Sequence, residues 1–277
     1  MNIDSHQHFW SYNPAEYGWI NDQLKVLRRD FLPADLKPEL QQNGFQGSIA
    51  VQARQSLAET QWLLDLAAQN PFIKGVVGWI DLCAPDVEQQ ISQFVKDPRF
   101  VGVRHIIQDE PDEAFMLRAE FINGLHYLQK YDLTYDLLIF PKHLSNALKL
   151  VVQFPALRFV IDHLAKPVIK KQIISPWREG LIELAHYPNT WCKISGMVTE
   201  ADWQNWKYDD FVPYLDTVLE TFGPERVLIG SDWPVCTLAG SHHKVISIVL
   251  RFIEKFTAVQ QATILWQNAE HVYKLKL

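Results

Sequence analysis

Residues 227–234 read VLIGSDWP. Three aliphatic side chains and a glycine run straight into a serine, a carboxylate and a Trp-Pro pair, and that pair opposes immediate helix formation. A run this short, apolar on both faces, suits a strand of a parallel sheet that is covered on both sides. The stretch therefore raises one question: why does a strand that should lie wholly inside the protein end in Asp232?

Seven further runs of the same kind precede it: Ile3–His8, Gly47–Gln52, Val76–Asp81, Phe100–Ile107, Leu133–Ile139, Arg158–His163 and Trp191–Ser195. Longer segments with helical periodicity separate them. Ser56-Leu57-Ala58-Glu59 reads as a capping box ahead of Trp62, Leu63, Leu66 and Ala67, with Asn70-Pro71 as the stop. Pro85-Asp86 opens a segment carrying Val87, Ile91, Phe94 and Val95; Pro141 opens another that halts at Phe154-Pro155. Eight strand–helix units in 277 residues predict an α/β fold, a closed (β/α)8 TIM barrel of about 250 residues or more, as a single domain over 1–277. The competing architecture is an open doubly wound sheet, which the absence of a GxGxxG or GxxxxGK[ST] loop disfavours.

Composition sets further bounds. A formal charge of −6 gives no electrostatic basis for binding nucleic acid or an anionic membrane surface. Cys83, Cys192 and Cys236 are too few and too scattered for a disulfide framework or a CxxC metal knuckle, which favours a reducing compartment. Asn2, Asp4, Ser5 and His6 interrupt any leader-like apolar run, and no stretch approaches the roughly 20 apolar residues of a membrane helix. The expectation is a soluble cytoplasmic protein, monomeric or homodimeric.

In a closed barrel, chemistry collects at the carboxyl ends of the strands. The first run ends in His6-Gln7-His8, the fourth in Arg104-His105, the sixth in Asp162-His163 and the eighth in Asp232. Strand alternation puts His6 and His8 on one face, about 7 Å apart along the backbone. Plainer roles exist for each: a chance HxH, a satisfied core histidine at 163, an N-cap at 232. Arg104 demands more, because a buried guanidinium needs an anion, with Asp81 or Asp136 as the structural candidate. Closure brings the last strand beside the first, so Asp232 should meet His6 and His8. The trio forms either three ligands for a divalent metal, with His163 available as a fourth, or an acid–base set without one.

This pattern resembles the amidohydrolase superfamily over essentially the whole chain. The wording of IDSHQHFW (3–10), VQARQSLAETQWLL (51–64), GVRHIIQDEPDE (102–113), IDHLAKP (161–167) and GSDWPV (230–235) is similar to its sugar-lactonase branch, which opens lactones such as L-fucono- and L-rhamnonolactone. The resemblance implies a small-molecule sugar lactone as substrate and one divalent metal, zinc, or none. A bridged two-metal centre lacks its bridge, since the fourth strand offers Val103, Arg104 and His105 rather than a carboxylated lysine, and the fifth offers Tyr135 and Asp136 rather than a histidine. In such a lactonase Asp232 takes the proton from water while His6, His8 and His163 polarise the carbonyl, directly or through the metal. Arg104, His105, Gln52 and Arg54 would read ring hydroxyls, and Trp10, Trp79 and Trp233 would offer flat faces to the sugar. Two rivals remain in view: a zinc-dependent non-oxidative decarboxylase, for which Asp4 is the available extra carboxylate, and a sugar-binding barrel without catalysis.

Overall fold

A computed structural model describes residues 1–277. Each of the eight apolar runs overlaps a strand, with β3 starting three residues and β7 one residue ahead of the expected run: β1 (Ile3–Gln7), β2 (Gly47–Val51), β3 (Ile73–Gly78), β4 (Phe100–His105), β5 (Thr134–Leu137), β6 (Phe159–Ile161), β7 (Thr190–Ile194) and β8 (Val227–Ile229). They form one parallel sheet in sequence order from β1 to β8. Helices α1 (Pro33–Gln42), α2 (Leu57–Gln69), α3 (Val87–Phe94), α4 (Ala119–Lys130), α5 (Leu144–Gln153), α6 (Trp177–Ala185), α7 (Val212–Phe222) and α8 (His242–Ile253) follow the strands in turn. The fold is a (β/α)8 barrel; a doubly wound sheet would reverse its strand order partway.

Helix starts follow local chemistry, with one departure. Ser56 caps α2 by accepting the Glu59 N–H at 3.4 Å. The Glu59 carboxylate does not close the reciprocal half of a capping box. It turns back instead to accept the N–H groups of Ala53 and Arg54 at 3.1 and 3.0 Å, fixing the chain just after β2.

Outward-facing side chains such as Tyr135, Phe159 and Ile194 join the large core between sheet and helices. Inward-facing Ile3, Ile49, Val51, Val77, Val101, Val160 and Leu228 meet Ala269, Val272 and Tyr273 from the last helix, α10 (Asn268–Tyr273), which follows α9 (Ala258–Ala262), and Leu275 just beyond it. The Val272 carbonyl accepts from Thr134 Oγ1 and Arg158 Nε at 2.8 Å each, both near the amino ends of their strands. The chain's end thus plugs the bottom of the barrel and leaves the top free for chemistry.

The join between β8 and β1 is a seam rather than a regular ladder. Asp232 N–H donates to the His6 carbonyl at 2.8 Å, and His8 N–H donates to the Trp233 carbonyl at 2.7 Å. Ser5 Oγ donates to the Ile229 carbonyl at 2.6 Å. Fully buried Asp4 adds a side-chain strut: Oδ1 accepts the Ser231 N–H at 2.8 Å, Oδ2 accepts the Ser231 hydroxyl at 2.5 Å, and His242 Nε2 lies 3.4 Å away. Removing a partner so that buried donors go unsatisfied costs about 1–3 kcal/mol per group. Asp4→Ala strands several, so we expect a loss of about 3 kcal/mol or more in urea unfolding. An unchanged midpoint would mean that the seam is held elsewhere.

Candidate active site

The site is built from the bottom of the barrel upward. In most barrels of this kind the interior is filled by branched aliphatic layers. Here one layer is charged. Lys193 on β7 is fully buried and its Nζ lies 2.5 Å from Asp136 Oδ2, 3.0 Å from Asp162 Oδ1 and 3.3 Å from His6 Nδ1. Tyr273 donates its hydroxyl to Asp136 at 2.8 Å. Arg104 Nη1 donates to Asp162 Oδ2 at 3.0 Å and lies 3.2 Å from His6 Nε2, while its Nη2 donates to the Gln52 carbonyl and, at 3.1 Å, to Gln52 Oε1. Two carboxylates thus face two cations, and the buried charges balance. Arg104's carboxylate is therefore Asp162, not Asp81 or Asp136.

This layer carries the imidazoles. Burial pushes His6 well below the ordinary histidine range, and the Asp162 charge does not restore it; the neighbouring Lys193 adds to the lowering. Burial likewise brings His163 down to about 4 despite the pull of Asp232 and Asp162. Both rings are neutral at pH 7. For Asp232, burial works against the charged form, but His163, His8 and Lys166 outweigh it and hold the carboxyl below its ordinary value.

The ring nitrogens and the carboxylate converge. His6 Nε2 lies 3.2 Å from His8 Nε2, and Asp232 Oδ1 lies 3.3 Å from His8 Nε2 and 3.9 Å from both His6 Nε2 and His163 Nε2. His8 Nδ1 faces the Val51 carbonyl at 2.8 Å, so that nitrogen must carry the proton and donate. The same ring's Nε2 faces a carboxylate oxygen and a second imidazole nitrogen. Such an arrangement is satisfied by a cation between them. Tetrahedral zinc bonds of about 2.0–2.2 Å separate ligand atoms by roughly 3.3–3.6 Å; the His6–His8 and His8–Asp232 separations of 3.2 and 3.3 Å match that spacing, and the His6–Asp232 separation of 3.9 Å is wider. A second grouping, His6 with Asp162 and His163, does not suit a metal, because Lys193 and Arg104 already occupy the Asp162 carboxylate.

Backbone strain sits at the same place. Asp232 has φ +58°, and His163, Leu164, Ala165 and Lys166 are four consecutive left-handed residues. Non-glycine residues in that region cost on the order of 1 kcal/mol or more each and persist where the surroundings enforce them. Gly196, at φ +60°, lies against the His163 ring; a Cβ there would stand 2.5 Å from Nδ1. His163 Nδ1 instead meets Ser195 Oγ at 2.9 Å.

A cavity of about 360 Å³ opens above this floor, lined by His8, Arg104, His163 and Asp232 with Lys166 and Glu200. His6 lies beneath it, fully buried. The remaining expected sugar readers are elsewhere. Trp10 turns into the core and donates its indole N–H to the Leu27 and Arg29 carbonyls. Trp233 packs edge-on against Phe9 and Phe31, and Trp79 donates toward His105 Nδ1 at 3.4 Å. His105 is held by Glu110 at 2.7 Å and stacked on Phe115. Arg54 pairs with Glu16 at 2.6 Å, and Gln52 is consumed by Arg104. The indoles at the cavity are Trp19 and Trp203, from loops that carry no strand-end signal. Lys193, by contrast, was visible as one charge inside the strand TWCKI.

A metal-compatible set of two histidines and an aspartate at the top of a (β/α)8 barrel defines a metal-dependent hydrolase type of site. The amidohydrolase family profile matches residues 3–275, and the chain belongs to that family. It is 40% identical over 276 residues to an L-fucono-1,5-lactonase of Burkholderia multivorans, covering 96% of this chain and 93% of the relative. A crystal structure of an amidohydrolase from Burkholderia multivorans with bound zinc superposes with a TM-score of 0.97 at 39% identity over the full length of both chains. A dihydroxybenzoic acid decarboxylase from a Polaromonas species, 14% identical with a TM-score of 0.68 over 99% of this chain and 96% of that one, shares the fold. No helix here is long and apolar enough to cross a membrane.

Breaking a buried ion pair by removing one partner costs about 3–5 kcal/mol. Lys193→Met leaves Asp136 and Asp162 facing each other with one cation fewer, and a loss of that size is expected in chemical denaturation. A loss below about 1 kcal/mol would show that the layer is not held by charge.

Proposed function

We propose that the protein hydrolyses the 1,5-lactone of a deoxy sugar acid, L-fucono-1,5-lactone or a close stereochemical relative. The observation that carries this reading is the convergence of an ionised Asp232 with His8 and a neutral His163 on the floor of a monosaccharide-sized cavity. The 40% identity to a fuconolactonase over nearly the whole chain supports the choice of sugar.

Water attacks the lactone carbonyl, and Asp232 takes one of its protons. The acyl C–O bond then breaks, and the ring oxygen leaves with the proton that Asp232 returns. An ordinary aspartate, with pKa about 3.9, is a weak base, so stabilising the developing oxyanion matters as much as removing the proton. With the Ser195 hydroxyl donating to Nδ1, His163 carries its proton on Nε2 and offers it to the carbonyl oxygen. Arg104, at the cavity wall, adds fixed positive charge beside the same point. The charged layer below keeps His6 and Arg104 from moving as charge builds, which is what preorganised stabilisation requires. His6, His8 and Asp232 would hold one divalent metal, zinc by the nature of the donors; when bound it supplies Lewis-acid polarisation of the carbonyl.

The decarboxylase reading needs an additional carboxylate from β1, and Asp4 is committed to the seam with Ser231 and His242. A pure binder has no use for a carboxylate poised among imidazoles over its ligand.

Purified protein given a panel of aldonolactones with a pH indicator is expected to release acid from L-fucono-1,5-lactone, with one zinc per chain by elemental analysis. Removing one such catalytic group commonly costs about 10²–10³ in rate or more. Asp232→Asn should therefore lose at least that factor in kcat/KM while keeping its circular dichroism spectrum. Parental turnover by that variant, or carbon dioxide in place of acid, contradicts the reading.

A further inference from the structure

Two charged groups at the cavity wall make no side-chain hydrogen bond within the protein. Lys166 and Glu200 both line it, with side chains only 18% and 23% exposed. Their Nζ and Oε1 stand 3.8 Å apart, too far for a hydrogen bond, and neither side chain makes one to any other group. The buried cations nearby are bound up, Arg104 by Asp162 and Gln52 and Lys193 by two carboxylates, and the Asp232 carboxylate faces the imidazoles. Partly desolvated charges without hydrogen bonds are costly unless something else satisfies them.

Their placement is imposed by the fold. Lys166 is the last of the four left-handed residues after β6, and its ammonium lies 5.5 Å over the Phe140 ring rather than out in solvent. Glu200 ends the helical turn Val198–Glu200 after β7, where burial pushes its carboxyl up against the opposing pull of Lys166. Gln108, from the segment after β4, adds a buried Oε1 without a partner at the same cavity. A carboxylate beside an ammonium is formally neutral, so this wall suits a neutral polyol. An anionic lactone would be repelled by Glu200.

We propose that Lys166 and Glu200 together read a pair of adjacent ring hydroxyls on the substrate, Glu200 accepting one O–H and Lys166 donating to the oxygen of the next. The inference rests on the lactonase reading and narrows it to neutral, polyhydroxylated lactones. Both residues act on specificity; neither carries a proton, and the influence of the Lys166 charge on Asp232 falls equally on every lactone, so it cancels from a substrate preference.

The test compares an aldono-1,5-lactone with unsubstituted δ-valerolactone, which has the same ring and no hydroxyls. A hydrogen bond to a charged group is worth roughly tenfold to a hundredfold in affinity. Glu200→Gln and Lys166→Met should each narrow the parent's kcat/KM preference for the aldonolactone by about that factor, chiefly through KM. An unchanged preference overturns the assignment, as does an equal loss on both substrates. Calorimetric binding of a 1,5-anhydrohexitol, a neutral ring polyol with no carbonyl, separates this from the lactonase reading. Tenfold or greater weakening in both variants supports the diol contact even if no lactone is turned over. No binding to the parent, or equal binding to all three proteins, refutes it.

Discussion

The backbone clamp between β8 and β1 governs the whole site. Asp232 donates its N–H to the His6 carbonyl, and His8 donates its own to the Trp233 carbonyl. Those two bonds lock the residues that bear the acid and the two imidazoles into one register, so their side chains meet without any loop having to find its place. The approach is close enough to constrain sequence. At Gly230 a Cβ would stand 2.7 Å from the His6 Cβ, so a side chain there would push the strands apart. Asp4 and Ser231 supply by side chain what a regular ladder would have supplied by backbone.

Beneath the clamp, the barrel gives up an aliphatic layer for a charged one. Burying two carboxylates and two cations wins little net stability over apolar packing, and it frequently loses some. What it offers is positional. His6 is approached by Lys193 and Asp162 on one nitrogen and by Arg104 on the other, and these neighbours fix the ring from below. Such surrounding support is what holds a functional group within a fraction of an ångström of a working geometry. The left-handed turn at His163–Lys166 and the positive φ of Asp232 belong to the same bargain: local strain held by a rigid frame.

The legibility of the sequence divides along physical lines. The eight strands could be read because a short run buried on both faces leaves an unmistakable apolar signature, and VLIG at 227–230 is one of eight. His6, His8, His163 and Asp232 could be read because strand ends in a barrel share one rim. The aromatic assignments failed because proximity to a strand end says nothing of ring direction: Trp10 follows β1 closely and turns into the core, while Trp19 reaches the cavity from farther along the loop. Arg104 was correctly read as needing an anion, but which carboxylate answers depends on register across β4 to β6, and Asp162 does. Lys166 and Glu200 were out of reach. One depends on four successive left-handed residues and the other on a turn after β7, and neither leaves a pattern in composition or period.

The account stands on water attacking a carbonyl held over Asp232 and the imidazoles. Its most direct test is to turn over L-fucono-1,5-lactone in water enriched in oxygen-18 and locate the label in the product by mass spectrometry. Attack at the carbonyl puts the heavy oxygen in the carboxylate and none in the hydroxyl released from the ring. Label in that hydroxyl, or no product from any aldono-1,5-lactone, contradicts the account.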